Sequence, residues 1–249
     1  MRSKRSTIWI HRGILCILMT CLTVLSISAA QANGSVKQEM KTVNGIQLSV
    51  KEAGSGPDMV LVHGRGFRKE GMDAFFERYQ TGWHVISYDV RCHGSSEDTD
   101  VFTLDDCAND LAALTEIYDL DHPVVIGFSM GSYISLLTAE KHPDLFSRLV
   151  LIGTKGREKV SEERLASEPD KVRRALLDYD LFPEMNKITV PALVMTGEND
   201  TTNPPEKGRA VAEALPDTSF EVIPNAEHIA WFGNSQRVFS LVDAFLGGE

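Results

Sequence analysis

Cysteine is scarce in this chain, with four in 249 residues. Cys16 and Cys21 fall in an apolar N-terminal run, which leaves Cys92 and Cys107 for a folded body. Two cysteines with no nearby cluster of ligand-type residues do not build a zinc centre, so no metal is expected. They stand either as separate small core residues or as a disulfide stabilising by about 3 kcal/mol, and their spacing does not choose, because a bridge needs a particular Cα separation. Basic runs are missing too: 25 Lys and Arg face 35 Asp and Glu, a net charge of −10. Phosphate-backbone binding needs clustered cations, so nucleic acid is excluded as a partner. Internal repeats and low-complexity tracts are absent. The longest apolar run, residues 13–27, falls short of the roughly 20 residues that a membrane span takes.

That run has the setting of a leader. Arg2, Lys4, Arg5 and Arg12 precede it without an acidic residue, and "SISAAQANG" follows. A charged start, an apolar middle and the small-x-small site Ala30-Gln31-Ala32 read as a secretory signal peptide over residues 1–32, cut before Asn33. The alternatives are an uncleaved anchor, which the run's length opposes, and a lipidated Cys21, which the bulk of Thr20 opposes. Residues 33–249 then make one exported α/β domain, periplasmic or secreted, with no stable membrane span after cleavage. Losing four positive charges and no negative ones makes its acidity greater still. The default reading of that acidity is a solvated surface.

Strand-like apolar runs recur with turn signals at their ends: "GIQLSV", "MVLVHG", "HVISYDV", "PVVIGF", "RLVLIG", "PALVMTG" and "SFEVIP". The middle five lack polar alternation, as strands buried on both faces of a parallel sheet do. Helical patterns lie between them, at 103–120 with Thr103 as N-cap, 130–141, 205–215 and 235–246. The alternation predicts a mostly parallel, open, twisted α/β sheet of about eight strands with helices on both faces. Asn44-Gly45 signals an edge hairpin. The interval from about 154 to 188 is charged and helix-prone with no strand, and is expected to form a small inserted lid.

"VVIGFSMGSYISL" sets Ser129 between Gly127 and Gly131, at the end of a strand and the head of a helix. Such a serine is either a simple N-cap or a nucleophile on a sharp turn. In an open α/β sheet functional groups gather at the carboxyl ends of the strands, and two more candidates stand there: Asp200 after "ALVMTGEND" and His228 after "FEVIPNAEH". A serine hydroxyl needs an imidazole to take its proton and a carboxylate to hold that imidazole in one tautomer. The main-chain amides of Met130 and of Arg65, in "HGRG", are the candidate oxyanion donors. Phe128 and Trp231 are candidates for substrate contact, with packing alone as the rival role. Tyr179, Leu181 and Phe182 could face the site from the lid or merely dock it. The Arg65 side chain is a candidate for an acidic substrate.

With these residues in place, the chain resembles the α/β-hydrolases of the single-domain serine esterase and lactonase type, from about Val43 to Phe245. The resemblance rests on His63-Gly64, on Asp89, Arg91, Gly94 and Ser96 in "DVRCHGSS", on the elbow "GFSMG", on Asp200 in "GEND", and on His228. It implies cleavage of a small-to-medium carboxylic ester or lactone through an acyl-enzyme, with no cofactor and a small-molecule acyl substrate. It also makes Asp89 a loop-ordering residue rather than the triad acid. Serine at 129 excludes the aspartate-nucleophile branches. Where the family usually has glycine this chain has Cys92, which speaks for a bridge to Cys107. Glu227 replaces the usual glycine before the histidine, which would put a carboxylate beside the imidazole. Acyl transfer, perhydrolysis or peptide cleavage would use the same triad, and a receptor-like relative would bind a ligand without turnover. The sequence assigns no oligomeric state.

Overall fold

The computed structural model describes residues 35–247, so the signal segment expected over residues 1–32 lies outside the described residues. The chain begins with β1 (Lys37–Val43) and β2 (Ile46–Ala53), joined at Asn44-Gly45. Both turn residues have positive φ, 48° and 83°, as a two-residue hairpin turn that matches strand twist requires. There follow β3 (Asp58–Val62), α1 (Asp73–Tyr79), β4 (His84–Tyr88), α2 (Leu104–Ile117), β5 (Val124–Phe128), α3 (Met130–Lys141) and β6 (Arg148–Ile152). After an excursion come β9 (Ala192–Gly197), α6 (Pro205–Ala214), β10 (Thr218–Ile223) and α7 (Ser235–Leu246). The eight-stranded sheet has the order β1-β2-β4-β3-β5-β6-β9-β10. It is antiparallel only where β2 meets β1 and β4.

The central strands read as continuous apolar runs because both of their faces are covered. Val60 and Val62 of β3 join one core with α2, α3 and α6, while Met59 and Leu61 join a second with α1 and α7. Thr103 caps α2 by accepting the Asp106 amide, and Gly247 closes α7 in the left-handed conformation. Helix α1 has no counterpart in the periodicity of the sequence. Its seven residues are too few to display a helical repeat, yet Phe75, Phe76 and Tyr79 are buried against the sheet. No helix among the described residues is long and apolar enough to cross a membrane.

Between β6 and β9 the chain leaves the sheet and corrects the expectation of a strandless segment. It holds β7 (Arg157–Lys159) paired antiparallel with β8 (Asp178–Asp180), around α4 (Glu162–Ala166) and α5 (Lys171–Ala175). Three polar residues cannot show strand periodicity. Charge supplies the register instead, since Arg157 faces Asp180 and Lys159 faces Asp178 across the ribbon.

Cys92 and Cys107 are free thiols, which corrects the leaning toward a bridge. Cys107 packs in the core as a small apolar residue, and the Cys92 sulfur lies 3.3 Å from the Thr99 hydroxyl.

Two buried ion pairs anchor the loops after β3 and β4. Lys69, 3 % exposed, donates from Nζ to Asp89 at 2.9 Å and to Ser49 at 2.8 Å. Asp89 also accepts the amides of Lys69 and Ser95. Burial by itself raises this carboxyl's pKa, but those two amides and the ammonium together bring it below the ordinary value. Arg91, in the loop after β4, holds Asp110 of α2 at 2.7 and 2.9 Å. Asp89→Asn leaves the buried Lys69 ammonium with only the more exposed Glu70 carboxylate, 3.4 Å away, and the expected loss is about 3 kcal/mol of unfolding free energy. Urea melts read this as a lowered midpoint at unchanged slope.

Candidate active site

Ser129 is the single residue between β5 and α3, with φ 51° and ψ −113°. An L-residue at positive φ is strained and persists only where its surroundings over-determine it. They do so here: the Ser129 amide donates to the Ile152 carbonyl of β6 at 2.8 Å, and α3 sits too close to the sheet for larger neighbours. A Cβ on Gly131 would stand 2.1 Å from the Val62 carbonyl oxygen, and one on Gly127 would stand 2.6 Å from that of Gly131. The elbow glycines are therefore a consequence of helix-to-sheet distance.

The three sequence candidates meet. His228 Nε2 lies 3.0 Å from Ser129 Oγ, and Nδ1 lies 2.7 Å from Asp200 Oδ2. The other Asp200 oxygen accepts the amides of Thr202 and Asn203, both at 2.8 Å, and the carboxylate is wholly buried. With Oδ2 as an acceptor, the proton of a neutral His228 belongs on Nδ1. The Nε2 lone pair then faces the hydroxyl, as a general base requires. Asp200 stands in the turn after β9 and His228 in the loop after β10, so register across β5-β6-β9-β10 carries three distant residues to one rim.

The family model for the alpha/beta hydrolase fold matches residues 57–180. The chain belongs to that family. It is 27% identical to a Mycobacterium tuberculosis protein that carries the name non-heme bromoperoxidase BpoC, over 78% of this chain and 95% of that one. It is 25% identical to the pimeloyl-[acyl-carrier protein] methyl ester esterase of Chromobacterium violaceum, over 77% and 94% respectively. Among solved structures it is similar to a thermophilic esterase from Thermogutta terrifontis, with a TM-score of 0.73 and 25% identity over 84% of this chain and 98% of that one.

In this alpha/beta hydrolase the two expected oxyanion donors lie in the residue after the serine and in the loop after β3, whose Gly64 packs beside the Ser129 side chain. Met130 begins α3, where amides have no intrahelical acceptor, and Arg65 lies in the loop after β3. His63 braces that loop. It is fully buried, its Nε2 accepts the Val90 amide at 3.0 Å, and its Nδ1 donates to the Gly64 carbonyl at 2.8 Å. Both contacts are met by one neutral tautomer, and His63 is not on the wall of the catalytic cleft.

The cleft beside Ser129 has a volume of about 310 Å³. Phe67, Phe128, Leu176 and Leu177 make its apolar wall, and Arg65, Lys155 and Arg173 bring cations to it. Phe128 thus lines the cleft, its ring 5.0 Å from that of His228. Trp231 does not, which corrects the expectation for that residue: it packs behind Phe128 and against Phe75 at ring distances of 4.8 and 5.2 Å, inside the core. Phe232 is 82% exposed. Tyr179 and Leu181 border a separate, larger cavity of about 590 Å³ that none of the three triad candidates touches. Glu227 is exposed and makes no hydrogen bond to the imidazole among the described residues.

Tyr133 and Asn203 also line the cleft and were not among the sequence candidates. Asn203 donates to the Tyr133 hydroxyl at 2.7 Å and to the Gly153 carbonyl, and its own Oδ1 is buried without a partner among the described residues. Their signal was present: Tyr133 is one helical turn past Ser129, and Asn203 is the third residue after Asp200, its amide donating to that carboxylate.

Burial pulls the His63 pKa from 6.5 down to about 4, outweighing the opposing pull of its bond to Gly64. Between those values the unfolded chain binds a proton that the folded chain does not. The stability associated with neutral His63 is therefore complete above pH 6.5 and is lost as pH falls toward 4, up to about 3 kcal/mol. Urea melts across this range are expected to show the loss, with a slope smaller by up to one proton in His63→Gln.

Proposed function

We propose that this hydrolase is an exported serine esterase that cleaves a small-to-medium carboxylic ester or lactone through an acyl-enzyme. The observation that carries the reading is the continuous run of contacts from Ser129 Oγ through both His228 nitrogens to Asp200 Oδ2. As Ser129 Oγ attacks the carbonyl carbon, Nε2 takes its proton, and the buried carboxylate stabilises the imidazolium that forms. The developing oxyanion is met by the amides of Met130 and Arg65, the first backed by the positive end of α3. The imidazolium then protonates the departing alkoxide. In the second half of the cycle His228 deprotonates a water that attacks the acyl carbon, and the proton returns to Ser129 as the acid departs. No cofactor enters these steps.

The volume of the cleft, about 310 Å³, lies at the small end of the range for ligand sites and supports a short acyl chain. The likeness to a protein named as a bromoperoxidase favours one variation, with hydrogen peroxide in place of water at the acyl-enzyme. Export rests on the charged-apolar-small pattern of residues 1–32.

Short p-nitrophenyl esters are expected to give a burst of nitrophenol, and a fluorophosphonate to label Ser129. In Ser129→Ala labelling disappears and kcat falls by at least about 10⁴-fold, in line with the loss of a triad nucleophile. Retention of both in the variant refutes the reading, and ligand binding without turnover in the wild type favours a receptor.

A further inference from the structure

The cleft beside Ser129 has a charge opposite to that of the protein. Three of its lining residues, Arg65, Lys155 and Arg173, are cationic, and among the described residues no Asp or Glu lines it. Acidic residues outnumber basic ones 35 to 25 in the whole chain, so a cleft lined by random surface residues would hold carboxylates. The cations come from two segments far apart in sequence, the loop after β3 and the excursion between β6 and β9.

Their existing partners neutralise only part of this charge. Lys155 meets Glu158 at 2.7 Å. Arg173 meets Glu168 at 3.3 Å, but the same carboxylate also holds Arg164 at 2.9 Å. Arg65 has no carboxylate within ion-pair distance among the described residues. Lys155 thus has one carboxylate partner, Arg173 shares its partner with Arg164, and Arg65 has none among the described residues. Asp170, the N-cap of α5, spends an oxygen on the amides of Val172 and Arg173 and is not on the cleft wall.

The three cations also differ in depth. The Lys155 side chain is only 17% exposed, and its carbonyl accepts the Tyr179 hydroxyl at 3.2 Å, so its position is fixed. Arg65 and Arg173 are more open, at the mouth, where a positive rim steers an anion inward. A guanidinium there can grip a carboxylate with paired donors.

We propose that this cleft selects an ester carrying a free carboxylate on its acyl arm, a half-ester of a short dicarboxylic acid, with Arg65, Lys155 and Arg173 binding that carboxylate while Ser129 faces the ester carbonyl. The proposal rests on the serine-esterase reading and names its substrate class. The length limit follows from the volume of about 310 Å³, which leaves space for only a few methylenes between ester and acid.

The test compares monomethyl glutarate with methyl pentanoate, which share a leaving group and differ in the terminal charge, by pH-stat on the full chain. The half-ester is expected to have the higher kcat/KM by about tenfold or more, the effect of one charge-assisted hydrogen bond. That ratio is expected to shrink as salt is raised to about 1 M, where the screening length is about 3 Å. It is also expected to fall several-fold in Arg173→Gln and in Arg65→Gln; the latter keeps the main-chain amide. Both arginines are at the surface, so neither change removes a core contact. A ratio near one, with the neutral ester still cleaved, overturns the proposal and leaves the esterase reading intact. If neither methyl ester is cleaved, the p-nitrophenyl ester burst decides the esterase reading, and calorimetric titration of Ser129→Ala decides the anion site by itself. Binding of the half-ester but not of methyl pentanoate supports it, and equal binding or none overturns it.

Discussion

A methyl group on Gly131 would stand 2.1 Å from the carbonyl oxygen of Val62, and the rest of the site depends on the closeness that its absence permits. Helix α3 can approach β3 and β5 only because that position has no side chain. The approach compresses the strand-to-helix turn so far that Ser129 must take φ 51°. At this angle the side chain stands out from the edge of the sheet, where His228 can reach it. The strain is offset by rigid neighbours, among them the Ile152 carbonyl that accepts the serine amide at 2.8 Å. Nearby glycines obey the same constraint: a Cβ on Gly64 would meet the Phe128 ring at 2.8 Å, and one on Gly153 would meet the His228 ring at 3.0 Å. Ser129, His228 and the loop after β3 are thus held in close packing at these glycines, beside the open cleft.

Packing alone would leave the loop after β3 free to shift, and a shift of about 1 Å at a catalytic group is costly. Buried polar contacts remove that freedom. His63 uses both ring nitrogens on main-chain groups of two different loops, and Lys69 with Asp89 joins the same two loops from the other side. Burying an ion pair contributes little net stability, since desolvation consumes most of the Coulombic gain. Its value here is positional, because Asp89 accepts from the Lys69 amide and ammonium and from the Ser95 amide at once, which fixes the two loops in one register.

The order of sheet and helices was legible in the sequence because burial on both faces produces continuous apolar runs, and such runs survive without tertiary information. The meeting of Ser129, His228 and Asp200 was legible for a related reason. Each of them follows a strand whose end could be read, and strand ends in a parallel sheet share an edge. What could not be read are elements too short to show a period, namely α1 and the β7-β8 ribbon, whose formation is decided by contacts distant in sequence. The fate of Trp231 was hidden likewise. A tryptophan three residues after His228 can turn toward substrate or toward core, and the space left by Phe75 and Phe128 decides for the core. Cys92 and Cys107 belong to this class too, since whether two thiols fifteen positions apart meet depends on how the loop after β4 folds back on α2.

The charge of the cleft shows most clearly where composition ceases to inform. An acidic chain would ordinarily be expected to repel an anion, and the average over the surface does so. Electrostatic potential at a recessed site, however, is set by the few charges within a screening length of about 8–10 Å rather than by the total. Lys155 and Arg173 lie in the excursion between β6 and β9, and Arg65 lies more than eighty positions earlier, so no linear window contains the three together. Folding creates that cluster, just as it creates the contact between Ser129 and His228. The two assemblies meet in one cleft, so the groups proposed to hold a substrate's charge and those proposed to break its bond are brought together by the same folding event.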